Sequence, residues 1–308
     1  MPYDLSNKLK IAVTTRALFR LENEDKLYRE QGRTAYEDYQ IEKEKELIEK
    51  GAAFSLIQAL LSVNAIDKLK DRVEVILVTR NNANSGIRVF NSIDTYELPI
   101  SRGVFTGGGE LVPYLLALDI DLFLTANPSD AQAAIDAGIP AATLLTENIP
   151  QYDTEKTSQI RIAFDGDAVL FADDSELIFK KQGLEGFKEN ESLHANEPMK
   201  EGPFAKFLKV IADLQSTLGD EQTFIRTALI TARNAPSHER VIKTLRDWGV
   251  RIDEMFFLGG ISKNPILQAF GAQIFFDDQR TYTEPASSIV PAGTVPYTSD
   301  SELNQYKN

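Results

Sequence analysis

The chain contains no cysteine, which excludes disulfides, thiolate catalysis and every Cys-ligated zinc or iron site. Its two histidines, His194 and His238, are too few for a His-rich metal centre. No apolar run approaches the roughly 20 residues that cross a bilayer, so no membrane partner is expected. The opening MPYDLSNKLK has no apolar h-region, and the expectation is a soluble, cytoplasmic protein. Positive charge is also scarce: 33 Lys+Arg face 46 Asp+Glu, a net charge of −13, which argues against a nucleic-acid polymer as ligand. What is present is an ordinary globular composition, with 43% hydrophobic and 9% aromatic residues over 308 positions. That length accommodates about two domains. An assembly of identical chains is compatible with such a composition and is not specified by it.

The chain repeats itself. Residues 76–127 align without a gap on residues 228–279 and share 15 identities, among them Thr79 with Thr231, Asn82 with Asn234, Arg88 with Arg240 and Gly107-Gly108 with Gly259-Gly260. With small indels, the match extends to Ile11–Phe19 against Ile162–Phe171, Gln31-Gly32 against Gln182-Gly183, and Ile139–Thr143 against Val290–Thr294. The reading is a tandem duplication, residues 1–150 and 151–308, with a polar joint around Gln151–Gln159. Each copy alternates short apolar or β-branched runs with helical patterns, and inserts a charged, helical stretch after its first strand (Arg20–Lys70; Ala172–Gly219). This predicts an α/β fold of two tandem parallel-sheet, Rossmann-like units, with ligands at the carboxyl ends of the strands. The tail from Thr281 reads as loop apart from one repeat-matched strand.

The most informative string is IRIAFDGDAVLF. Asp165 and Asp167 follow an apolar strand, and Gly166 between them carries no Cβ, so backbone N–H groups can approach a ligand. A desolvated carboxylate pair needs a cation or a shared proton, which suggests Mg²⁺; a solvated Asp-Gly turn is the competing reading. Three further elements tilt the balance, because each closes its own predicted strand: Thr231 in TALITARN, Lys263 after MFFLGG, and Asp277-Asp278 in IFFDD. Arg233 and Asn234 follow the Thr, where they could touch phosphate or ribose, or cap a helix.

The order DxDxV, Thr, Lys, paired Asp resembles the four motifs of the haloacid dehalogenase (HAD) superfamily. FDGDAVLFADDSE, TARN, LGGISKNPIL and IFFDDQ, with ALFRLENEDKLYREQG and TRNN in the first copy, resemble the cytosolic 5′-nucleotidase I type family over nearly the whole chain. The resemblance implies Mg²⁺-dependent hydrolysis of nucleoside 5′-monophosphates through an aspartyl-phosphate. It makes Asp165 the nucleophile and Asp167 the general acid and base, with Thr231 and Lys263 on the phosphoryl group. Metal would be held by Asp165, the Asp167 backbone carbonyl, and Asp277 or Asp278, and the N–H groups after Asp165 and Thr231, at Gly166 and Ala232, would cradle phosphate. The insert at about residues 172–219 would be a helical cap, offering Phe179 and Lys180 to the base or ribose.

At the equivalent positions the first copy has Thr14-Thr15-Arg16, Leu111 and Thr125-Ala126, so its chemistry is degenerate. Thr14, Arg16, Thr79, Arg80, Asn81 and Asn82 would form a polar, cationic cluster suited to a second anion or effector; a packing scaffold is the plainer reading. A phosphatase for sugar phosphates, or a catalytically idle nucleotide sensor, are the alternatives to a nucleotidase.

Overall fold

The computed structural model describes residues 3–147, 159–219 and 224–306; apart from Gln159, the expected joint lies outside these. Among the described residues ten strands are formed: β1 (Leu9–Val13), β2 (Val73–Thr79), β3 (Arg102–Phe105), β4 (Leu122–Thr125), β5 (Ala141–Leu144), β6 (Ile160–Phe164), β7 (Ile225–Thr231), β8 (Glu254–Phe257), β9 (Ile274–Asp277) and β10 (Ala292–Thr294). They build one sheet in the order β3-β2-β1-β4-β5-β10-β9-β6-β7-β8. Read inward from either edge, the succession is the same. Every described pair is parallel except β5 and β10, which run antiparallel with Thr143 against Thr294 and Leu144 against Gly293.

The sequence predicts two parallel sheets; the structure joins them into one. An unpaired edge strand leaves a row of N–H and C=O groups unsatisfied. Pairing the same edge of two similar units satisfies both rows, and two like edges related by a two-fold rotation meet antiparallel. The central strands are buried on both faces, as their unbroken apolar runs require: β1, β2 and β4 are buried at every position.

The inserts fold as expected into helices, Glu22–Glu42 with Phe54–Ser62 in the first half and Asp174–Leu193 with Ala205–Leu218 in the second. The long helix of each insert is broken at its Gln-Gly pair, where Gly32 (φ 80°) and Gly183 (φ 68°) take left-handed backbone conformations open to glycine. The tail departs from expectation. Arg280–Ala286 forms a helix packed on β9 and β10, and Glu302–Tyr306 forms a 3₁₀ turn. Its Ser/Pro/Thr-rich composition hides the helix, whose counterpart in the first half is Pro128–Asp136; burial of Thr283 and Ala286 holds it. Among the described residues no helix is long and apolar enough to cross a membrane.

Candidate active site

In the second half the chain runs from β6 outward to β7 and β8, then returns to β9 on the other side of β6. Such a reversal of strand order opens a crevice at the carboxyl ends. Asp165 follows the last residue of β6, Thr231 closes β7 and Asp277 closes β9. Asp165 is anchored there by its own N–H, which donates to the Phe276 carbonyl at 2.8 Å. Beneath it Phe164 and Phe276 stack at 5.8 Å, with Phe204 and Phe207 from the insert completing an aromatic floor.

The turn after Asp165 is not a regular helix. Gly166–Leu170 forms a π-type turn in which Ala168 has φ 57°, a left-handed value costly for a residue with a Cβ. The first half has an ordinary short helix, Thr15–Leu18, at the same place. A Cβ at Gly166 would meet Phe171 and Leu229 at 3.4 and 3.5 Å, ordinary contacts, so packing does not require glycine there.

Lys263 lies inside the carboxylate cluster. Its ammonium donates to Asp277 Oδ2 at 2.6 Å and sits 2.8 Å from Asp165 Oδ1, with all three side chains buried. The carboxylates of Asp165, Asp277 and Asp278 can each offer an oxygen within 4.8 Å of the others. Tyr297 donates to Asp278 Oδ2 at 2.5 Å, while the buried Asp278 Oδ1 has no hydrogen-bond partner among the described residues. One ammonium, paired with Asp165 and Asp277, is therefore set in a cluster of three buried carboxylates, and Asp278 keeps an orphan oxygen. Burial, only partly opposed by Lys263 and reinforced by Asp277 and Asp167, pushes the Asp165 carboxyl up to about 7. Asp278 is pushed well above the ordinary range by burial and then by Asp277 and Asp165. An all-oxygen set with excess negative charge fits a hard divalent cation.

Asp167 is gripped from the other side. Arg233 donates Nε to its Oδ2 at 2.8 Å and Nη2 to its Oδ1 at 2.6 Å, and Nη1 to Glu191 Oε2 at 2.5 Å. Glu191 belongs to the helix Asp174–Leu193, so this helix of the insert leans over the site of its own half, whereas the second insert helix, Ala205–Leu218, also meets the first half, where Lys206 pairs with Asp119 and Asp121 at 3.0 Å. Glu176, from the same helix, receives a hydrogen bond from Gln279 at 3.0 Å, and its carboxyl is pushed up to about 7 by burial and then by Asp167. Sequence reasoning missed Glu176, Glu191 and Tyr297, because nothing local distinguishes an acid on a charged helix or a tyrosine in a polar tail.

The remaining expected residues are dispersed. Thr231 Oγ1 is buried and accepts from the Arg233 N–H at 3.2 Å; Ala232 and Asn234 are exposed at the rim. Arg233, expected at phosphate or ribose, is instead buried with all its guanidinium nitrogens engaged by Asp167 and Glu191. Phe179 is 43% exposed, and Lys180 lies 3.5 Å from Glu176. In the first half Thr14, Thr79 and Asn81 occupy the matching strand ends, and Asn81 N–H donates to Thr79 Oγ1 at 3.2 Å, as at Thr231. Both arginines of that cluster are paired with carboxylates, Arg16 with Asp25 at 3.0 Å and Arg80 with Asp130 at 2.5 Å, and Asn82 accepts from Ser85 N–H.

The raised carboxyls predict a pH effect in divalent-free buffer. An acid whose folded value lies above its unfolded value contributes most stability below the unfolded value, and the contribution is lost as pH rises through the folded one. For Asp165 and Glu176 that window runs from ordinary values of 3.8 and 4.5 up to about 7. Thermal unfolding in EDTA should show the contribution of Asp165 falling across this window when wild type is compared with Asp165→Asn, and that of Glu176 when it is compared with Glu176→Gln, and both differences should shrink in MgCl₂. A difference that grows in the opposite direction would contradict the assignment.

A buried carboxylate–lysine cluster at the carboxyl ends of a parallel α/β sheet defines a class of acid-rich, cation-compatible sites. Within that class the chain belongs to the 5′-nucleotidase family, whose model matches residues 1–302. It is 38% identical over 295 residues to human cytosolic 5′-nucleotidase 1B, covering 92% of this chain and 48% of that protein. The chain thus spans about half the length of this relative. A solved structure of a functionally unknown protein from Pseudomonas aeruginosa aligns at 10% identity over 94% of this chain and 93% of that one, with a TM-score of 0.37, too distant to carry an argument.

Proposed function

We propose that the chain hydrolyses nucleoside 5′-monophosphates to nucleoside and phosphate, using Mg²⁺, in a cytoplasmic setting. The observation that carries this is the joining of Asp165, Lys263, Asp277 and Asp278 into one buried cluster with Asp167 and Thr231 beside it. Family membership and the activity named for the human relative point to the substrate. In this reading residues 1–150 and 151–308 are two HAD-like units, the first degenerate and the second catalytic, with the insert at about 172–219 as its cap. The positive charge of the first half's cluster is largely neutralised by Asp25 and Asp130, which favours a scaffold over a second anion site.

Mg²⁺ held by Asp165, Asp277, Asp278 and the Asp167 backbone carbonyl would offset the repulsion between the carboxylates and a phosphate dianion. An Asp165 oxygen forms a bond to phosphorus as the bond from phosphorus to O5′ breaks, and the proton on Asp167 passes to O5′ of the departing nucleoside. Asp167, now a carboxylate, takes a proton from water. The water oxygen bonds to phosphorus, the aspartyl-phosphate bond breaks, and phosphate leaves with Asp165 restored. Lys263 holds Asp165 in place and neutralises charge; Thr231 and the N–H groups of Gly166 and Ala232 receive the phosphoryl oxygens.

Phosphate release from a panel of nucleoside 5′-monophosphates and sugar phosphates, with Mg²⁺ and with EDTA, tests the reading. Turnover confined to nucleotides and lost in EDTA is expected. A preference for sugar phosphates would discard the nucleotidase reading, and nucleotide binding without turnover would favour the sensor.

A further inference from the structure

We infer that Arg233, backed by Glu191, is a positioning residue that sets the orientation of Asp167 for proton transfer to the leaving group. The inference rests on the proposed role of Asp167 as general acid.

Arg233 holds Asp167 by a two-point fork that uses one lone pair of each oxygen, which fixes the plane of the carboxyl group as well as its distance and leaves an outer lone pair to carry the transferred proton, where a single ammonium would fix distance alone. The fork is itself held. Glu191 takes the third guanidinium nitrogen at 2.5 Å, and its other oxygen accepts from Ser175 Oγ at 2.9 Å and Arg240 Nη1 at 3.0 Å. The Phe187 ring lies 5.1 Å from the guanidinium carbon. Side-chain exposure is 2% for Arg233 and 0% for Glu191. Burying three charges in this way is a poor route to stability, since well-packed apolar residues often do as well, so the network is better explained by geometry.

The internal repeat supplies an independent observation. The positions of Asp167, Arg233 and Glu191 are occupied in the first half by Arg16, Asn81 and Gln40: all three change together where the acid is absent. Arg240 is kept, as Arg88. There it binds Glu24 at 2.8 Å, at the position of Ser175, so the first half still ties its insert helix down with a buried arginine–carboxylate pair. Anchoring the helix therefore does not require an acid at position 191. What position 191 adds in the second half is a partner for Arg233, and what Arg233 adds is a grip on Asp167.

A role in proton delivery has a signature that a structural role lacks. A nucleoside leaves through an alkoxide-like O5′ that must be protonated, whereas p-nitrophenolate leaves without a proton. Single-turnover leaving-group release is measured for Arg233→Lys and Glu191→Gln with a nucleoside 5′-monophosphate and with p-nitrophenyl phosphate, alongside Asp167→Asn. Arg233→Lys keeps the buried charge and Glu191→Gln keeps the shape, and circular dichroism and thermal unfolding check that each folds. The expected result is a loss of about 10- to 100-fold on the nucleotide, as for a catalytic group displaced by about 1 Å, a loss below about threefold on p-nitrophenyl phosphate, and little change in KM. Equal losses on both substrates, or a raised KM with unchanged kcat, would overturn the inference. If Asp167→Asn shows the leaving-group dependence and Arg233→Lys does not, this inference fails alone; if Asp167→Asn shows none, the general-acid reading fails with it.

Discussion

Asp165→Asn is expected to lower turnover by roughly 10⁴-fold or more, because the amide would remove the oxygen nucleophile proposed at the end of β6 while preserving its shape. The fold should not suffer. Asp165 is buried, and burial pushes its carboxyl up to about 7, so removing the charge relieves a cost that the active protein carries. Lost activity with an unchanged or raised thermal midpoint in EDTA would show a group kept for chemistry against stability. Residual turnover within tenfold of wild type, against all contaminating activity, would remove Asp165 from the nucleophile's role.

Lys263→Met is expected to be the most destabilising single change in the site. Its ammonium bridges Asp165 and Asp277 from within the cluster, and without it Asp165, Asp277 and Asp278 share a buried space with no cation. Removing one partner of a buried ion pair costs about 3–5 kcal/mol, since the charge left behind remains desolvated. Denaturant unfolding in EDTA reads this cost directly. Adding MgCl₂ should return part of it, because a divalent cation neutralises the same oxygens, and combining Lys263→Met with Asp165→Asn should cost less than the sum of the two by about 1 kcal/mol or more. An unchanged midpoint for Lys263→Met in EDTA would mean that the carboxylates are already protonated and the bridge is not electrostatic.

Much of the site was legible because its residues sit at strand ends and at a repeat offset. Asp165, Thr231 and Asp277-Asp278 each close or follow a short apolar strand, and strand-end placement in a parallel sheet converges on one crevice whatever the loop lengths between them; Lys263, expected to close a strand, instead lies beyond β8 as the residue before the helix Asn264–Phe270 and reaches the cluster from there. The partners of those residues were not legible in the same way. Arg233 is separated from Asp167 by 66 positions, and Glu191 from Arg233 by 42, so only folding shows that they touch. Arg233 read as a rim residue because it follows Thr231 on an exposed-looking TARN string; its long side chain turns inward, while its neighbours Ala232 and Asn234 remain at the surface. The tail was misread for a related reason: Thr283 and Ala286 are held by packing on β9 and β10, and helix propensity had little to say about RTYTEPA.

By itself the sequence determined the internal repeat, the alternation of strands and helices, and the acidic motif set, because each is a local pattern of spacing and polarity. The tertiary structure alone decided that the two halves share one sheet through β5 and β10, that the insert helix Asp174–Leu193 leans over its own half while Ala205–Leu218 also meets the first half, and that Asp167 is clasped by Arg233 and Glu191. Those outcomes depend on which edges and charges would otherwise stay buried and unpaired, and that is settled only when distant segments are brought together.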